Sequence, residues 1–278
     1  PSTLRKGIEY SRNLMTVRIS QNVGLEKILN LSKNLNIYEE IPELLSVSLG
    51  SAETTLINIT SAYASFVNGG KKIEPILIDR IQDRRGKTIF NSDKRECIGC
   101  DRFSKDSDSF PKIQNNNKEV LSRETAYQMT SILQGVIDRG TGKKLKDLGV
   151  PLAGKTGTTN NNYDAWFIGF NSNLVIGVYI GYDIPRSLGK YETGSKAALP
   201  VFKSFVKNSL FLEDFKEFNV PEGIYFSPVN YDTGREDNFN NSGTIIEAFK
   251  LKNVNNVKNN SLSIQNSYDT LIKFRQFY

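Results

Sequence analysis

Residues 153–170 read AGKTGTTNNNYDAWFIGF, and this stretch decides what kind of sheet the chain builds. Residues 150–159 and 164–170 read as strands, with the asparagine run 160–162 as the turn between them, and LVIGVYIGYD (174–183) supplies a third strand. The three form an antiparallel meander. Gly157 lets another backbone approach closely, Thr156, Thr158 and Thr159 offer hydroxyls, and Lys155 supplies a fixed positive charge. That combination suits capture of a carboxylate beside an acyl centre. Strict strand alternation sends Lys155 and Thr156 to opposite faces, so both can serve one cleft only if this strand lies along its edge.

Working outward, the sequence before the meander is helical. Thr3, Leu4 and Ile8 carry a short helix, SRN at 11–13 interrupts it, and LMTVRIS resumes helical periodicity. An amphipathic helix follows Gly24, and TLINITSAYASFVNGG forms another, with Thr54 as its N-cap and Gly69-Gly70 as its end. PILIDRIQDRRGKTIF (75–90) reads as two strands around Gly86, and residues 91–117 as a polar surface insertion. SRETAYQMTSILQGVIDRG is a helix with Ser122 as N-cap and Gly140 just past its end, and ALPVFKSFVKNSLF is a closing helix. Helices first, an antiparallel sheet next and a helix last give an α+β fold with helices packed on the sheet. Pro221 marks a boundary, which divides the chain into residues 1–222 and a C-terminal extension, 223–278, with a few strands and an asparagine-rich end.

Composition narrows the chemistry. The chain of 278 residues carries a net charge of +6, but its basic residues are scattered and no nucleic-acid module accompanies them, so nucleic acid is not an expected partner. No run approaches the roughly 18 apolar residues of a membrane span, and the chain as given is expected to be soluble. The absence of histidine excludes Ser-His-Asp and Cys-His catalysis within this chain. Cys97 and Cys100 are too few for a four-cysteine zinc site; they read either as a local disulfide or as two inert thiols, with a redox pair as the weaker third reading. No metal or cofactor is expected.

Taken together, SRN at 11–13, KTG at 155–157 and the longer stretches PSTLRKGIEYSRNLMTVR, LGSAETTLINITSAYASFVNGGK, TAYQMTSILQGVIDRGTG and GVYIGYDIPRSLG resemble the transpeptidase domain of bifunctional class A penicillin-binding proteins of the 1A type. The resemblance covers about residues 1–250. It implies a β-lactamase/transpeptidase-like fold, peptidoglycan stem peptides and β-lactams as partners, and a D,D-transpeptidase that works through an acyl-serine. A non-catalytic β-lactam sensor or scaffold of the same fold is the alternative. The family's motifs run in the order SxxK, SxN, KTG, and SxN occurs three times here. SKN (32–34) lies inside a helix and SQN (20–22) at a helix end, so the interhelical SRN is chosen. EKILN (26–30) matches the ExxLN of class A β-lactamases, but it follows Asn13 too closely and lies on a helix with its leucines inward.

No SxxK precedes Ser11: Ser2 is followed at that spacing by Arg5. The later strings Ser109–Lys112, Ser187–Lys190 and Ser204–Lys207 break the order. The chain therefore reads as lacking its nucleophile and the N-terminal part of its domain, and as inactive by itself. The resemblance places the missing segment, a glycosyltransferase domain and a membrane anchor upstream, with the full protein on the periplasmic face of the inner membrane. It also implies the roles of the remaining residues. Ser11 relays a proton, Asn13 binds the substrate amide, Lys155 polarises Ser11, Thr156 and Thr158 hold the substrate carboxylate, Gly157 admits the substrate backbone, and the Thr158 N–H forms half of the oxyanion hole.

Overall fold

Capping chemistry sets the helix starts. In the computed structural model, which describes residues 2–38, 40–100, 110–114, 117–209 and 214–251, helix α1 (Leu4–Glu9) starts at Thr3, whose hydroxyl accepts the Lys6 N–H at 3.3 Å. The asparagine-rich end and Ser109 lie outside the described residues. Helices α2 (Asn13–Val23) and α3 (Leu25–Asn34) are separated by Gly24, and α4 (Leu56–Val67) follows a loop and a 3₁₀ turn. The cap of α4 is Thr55, which accepts the Asn58 N–H at 3.2 Å, not Thr54. Thr54 instead donates to the Ile37 carbonyl and pins the incoming loop, a tertiary contact that adjacent threonines give no means of assigning. Ser122 caps α5 (Arg123–Asp138), as its sequence signature indicates.

Strands β1 (Arg80–Gln82) and β2 (Thr88–Asn91) pair around Gly86 and begin later than Pro75, leaving Ile76, Leu77 and Ile78 exposed. Within the polar insertion, β3 (Cys97–Ile98) and β4 (Lys112–Ile113) form a second short pair. Cys97 and Cys100 are bridged, with Cα atoms 5.6 Å apart, so of the cysteine readings the disulfide holds.

Strands β5 (Ala153–Thr158), β6 (Ala165–Phe170) and β7 (Val175–Ile180) form the meander in that spatial order, fully antiparallel. Among the described residues β5 pairs only with β6, so the KTG strand is a sheet edge. Helices α4 and α5 cover one face and α6 (Ala198–Ser209) the other. Gly154 and Gly169 pair across β5 and β6 because the α6 side has no room for a side chain: a Cβ at 169 would lie 2.5 Å from the Phe202 ring. Phe202 meets Phe167 edge-on there at 4.9 Å and anchors α6 on the sheet.

Strands β8 (Ile224–Asn230) and β9 (Thr244–Lys250) make a seven-pair hairpin, a closer structure than the few strands expected. It docks on α5 through Phe226 against Tyr127 and through a 2.9 Å hydrogen bond from the Gln128 amide to the Ala248 carbonyl. The whole is α+β, antiparallel sheet with helices packed on it. No helix among the described residues is long and apolar enough to cross a membrane.

Candidate active site

The turn after α1 is built in an unusual way. Its amides close a helix-ending motif, Ser11 N–H to Ile8 O at 3.2 Å and Arg12 N–H to Gly7 O at 2.8 Å, which requires a left-handed residue between them. That residue is Ser11, at φ +53°, where glycine is the usual occupant. A side chain in this conformation costs about 1–2 kcal/mol. The left-handed backbone sets the direction in which its side chain leaves the turn. Ser11 Oγ accepts a hydrogen bond from Lys155 Nζ, across 144 residues of sequence.

Lys155 sits half-buried on the edge strand, and its ammonium also donates to the Thr156 carbonyl at 2.9 Å. Burial lowers its pKa to about 8, since desolvation disfavours the charged form. At neutral pH the amine is therefore still mostly charged. Asn13 is exposed as the first residue of α2, and its amide has no hydrogen bond among the described residues.

Alternation along β5 puts Thr156 and Thr158 together on the face opposite Lys155. The Thr156 hydroxyl is 2.8 Å from that of Thr141, in the loop after α5. The exposed Thr158 accepts the Gly194 N–H at 3.0 Å, which leaves its hydroxyl proton to donate elsewhere. Gly194 approaches so closely that a Cβ would lie 2.4 Å from the Gly157 and Trp166 carbonyls. The structure thus brings Ser11, Lys155, Thr156, Gly157 and Thr158 to one sheet edge. Thr141 and Gly194 went unassigned in the sequence, although Thr141 stands in the RGTG of a quoted stretch; no local pattern points to Gly194.

The competing motifs lie elsewhere. Ser32 and Asn34 are inside α3, Ser20 and Asn22 near the end of α2, and Ser204 and Lys207 on α6. Glu26 of EKILN is exposed while Leu29 is buried, so that match points its carboxylate to solvent.

A sheet edge bearing KTG, faced by an SxN turn between helices, is the layout of penicillin-recognising serine enzymes. The family model described as penicillin binding protein transpeptidase domain matches residues 1–207, and the chain belongs to that family. Within it, the similarity runs to the 1A type. Penicillin-binding protein 1A of Rickettsia conorii is 44% identical over 264 residues, covering 94% of this chain and 33% of that protein. The Pseudomonas aeruginosa protein of the same name is 31% identical, with 90% and 34% covered. The crystal structure of penicillin-binding protein 1A from Haemophilus influenzae superposes with a TM-score of 0.74 at 27% identity, covering 90% of this chain and 40% of that one. The chain spans about a third of the length of the curated relatives it matches.

Proposed function

We propose that the protein carrying this chain is a peptidoglycan D,D-transpeptidase that cross-links stem peptides through an acyl-serine intermediate and is a target of β-lactams. The observation that carries the reading is the Lys155–Ser11 hydrogen bond at the open edge of β5. The nucleophile is a serine of an SxxK segment joined upstream, activated by that segment's lysine. It attacks the carbonyl between two terminal D-alanines; D-alanine leaves, and an amine of a neighbouring stem peptide takes the acyl group.

Ser11 relays the proton toward the leaving nitrogen, with its hydroxyl oriented by Lys155. Asn13 holds the substrate amide. The Lys155 ammonium adds positive potential where the substrate carboxylate docks, and Thr158 and Thr156 donate hydroxyl hydrogen bonds to that carboxylate. Gly157 leaves space for substrate backbone to lie along β5 like an added strand. The Thr158 N–H supplies half of the oxyanion hole, and one such donor contributes about 3–4 kcal/mol. Support for β-lactam capture comes from a structural neighbour of the same fold, solved in complex with penicillin V. By the likeness to penicillin-binding proteins 1A, the full-length protein works on the periplasmic face of the inner membrane, with a glycosyltransferase domain and anchor upstream, and residues 223–278 extend the transpeptidase domain.

Labelling with a fluorescent penicillin tests this. The expected outcome is a covalent band for a protein extended upstream through SxxK and none for the 278-residue chain. Labelling of the chain alone would mean that one of its own serines is the nucleophile. Acylation of the extended protein without release of D-alanine from stem peptides would favour the sensor.

A further inference from the structure

The turn that presents Ser11 is held from behind, and the hold comes from the far end of the chain. Glu9, two residues before Ser11, is fully buried on the last turn of α1. Its carboxylate receives Arg139 in a two-pronged bond, Nη2 to Oε1 at 2.7 Å and Nε to Oε2 at 3.2 Å. Tyr231 Oη donates to Oε2 at 2.6 Å, and burial, then the Glu9 hydrogen bond, push the phenol's pKa up, so it remains a donor. The Glu9 carbonyl accepts the Thr141 N–H at 3.2 Å, and Thr141 is the residue whose hydroxyl meets Thr156. Gly140 is glycine to permit this, since a Cβ there would lie 2.3 Å from the Glu9 carbonyl oxygen. One residue thus joins the Ser11 turn to the KTG strand.

The β8–β9 hairpin closes that arrangement. Arg5, one turn before Glu9 on α1, forms a bidentate pair with Glu247 of β9 and bonds Ser131 of α5 through its carbonyl, at 2.9 Å, and its hydroxyl, at 3.0 Å. Thr3 Oγ1 donates to the Tyr231 carbonyl at 3.0 Å, and Lys6 pairs with Asp232. Every one of these hairpin contacts falls on α1 or its N-cap, and the end of α1 is the Ser11 turn. All of the hairpin lies beyond residue 207, where the family match stops.

We infer that Tyr231 and Glu247 are positioning residues for the transpeptidation site: through Glu9 and Arg5 they fix α1 so that the left-handed Ser11 turn meets Lys155. The inference rests on the function proposed above. A helix of six residues has little stability of its own, so its placement depends on what grips it. Because Ser11 is held in a costly backbone conformation, loosening that grip lets the turn relax and withdraws the hydroxyl from the lysine.

The test is pre-steady-state acylation of the full-length protein by a chromogenic penicillin, with the rate constant at saturation, the half-saturating concentration and the labelled fraction read separately. Tyr231→Phe removes only the hydroxyl. It is expected to lower the saturating rate constant about fivefold to tenfold and to leave half-saturation within about twofold, because β5 is untouched. A purely structural role would lower the labelled fraction and leave the rate constant of the remaining molecules at the parental value, which would overturn the inference. Should Tyr231→Phe fail to fold, Glu247→Gln measured in the same way decides with the same outcomes. A parent that is not acylated at all overturns the proposed function, and this inference with it; a labelled parent with unchanged variants overturns this inference alone.

Discussion

Ser11 holds a backbone conformation that glycine would hold at lower cost, and it does so with its hydroxyl on the amine of Lys155. Strain retained at a residue proposed to relay a proton is a trade of stability for function. In the protein extended upstream, Ser11→Gly is expected to raise stability by about 1 kcal/mol, read as a higher Tm. The same change should slow acylation by more than about tenfold through loss of the relay. A lower Tm would mean that the serine side chain, not the backbone, stabilises the turn. The turn at SRN was legible in the sequence, because it interrupts helical periodicity between α1 and α2. Its left-handed backbone was not, since nothing local announces a serine in a glycine position. The burial of Glu9 was equally hidden. Arg5 and Glu9 stand four apart on one helix, and their decisive partners lie far off in sequence at Arg139, Tyr231 and Glu247.

At the scale of elements, most helices and the meander were legible because period and caps agree. The α5 helix has its serine cap and amphipathic stripe, and β5–β7 alternate against two helical layers. Where tertiary contact decides, the reading slipped by a residue or more. Thr54 lost the cap to Thr55, and β1 starts only at Arg80. The β8–β9 hairpin was readable as strands, but its grip on α1 was not, because that grip is made of side chains that look solvated in sequence. The disulfide-bearing insertion is expected to have little bearing on the site. Cys97 and Cys100 close a very short loop at the end of β3, so the bridge constrains little beyond that turn. The double change to Ser is expected to leave penicillin acylation of the extended protein within about twofold of the parent. Loss of acylation at an unchanged Tm would place this insertion in the site.

For the molecule as a whole, the fold leaves one edge of β5 without a strand partner among the described residues, at the place where two distant segments converge. β6 and β7 support β5 from one side, α4, α5 and α6 fix the faces, and the remaining edge carries KTG. The α1–α2 turn is carried to that edge by a helix clamped between α5 and the C-terminal hairpin. Lys155 and Thr156 stand on opposite faces of β5, which is an edge strand among the described residues. The central claim is that the Lys155 ammonium orients Ser11 and polarises the site, and a cation with a pKa of about 8 makes it testable by pH. Below that value the amine is charged; above it the positive potential is lost. The most direct measurement is the acylation rate of the extended protein and of its Lys155→Ala variant by penicillin, from pH 6 to pH 10. The account predicts that the parent's rate falls as pH rises through about 8, and that Lys155→Ala is more than about tenfold slower at pH 7 with this alkaline fall absent. A variant within about twofold of the parent, with the same alkaline fall, would contradict it.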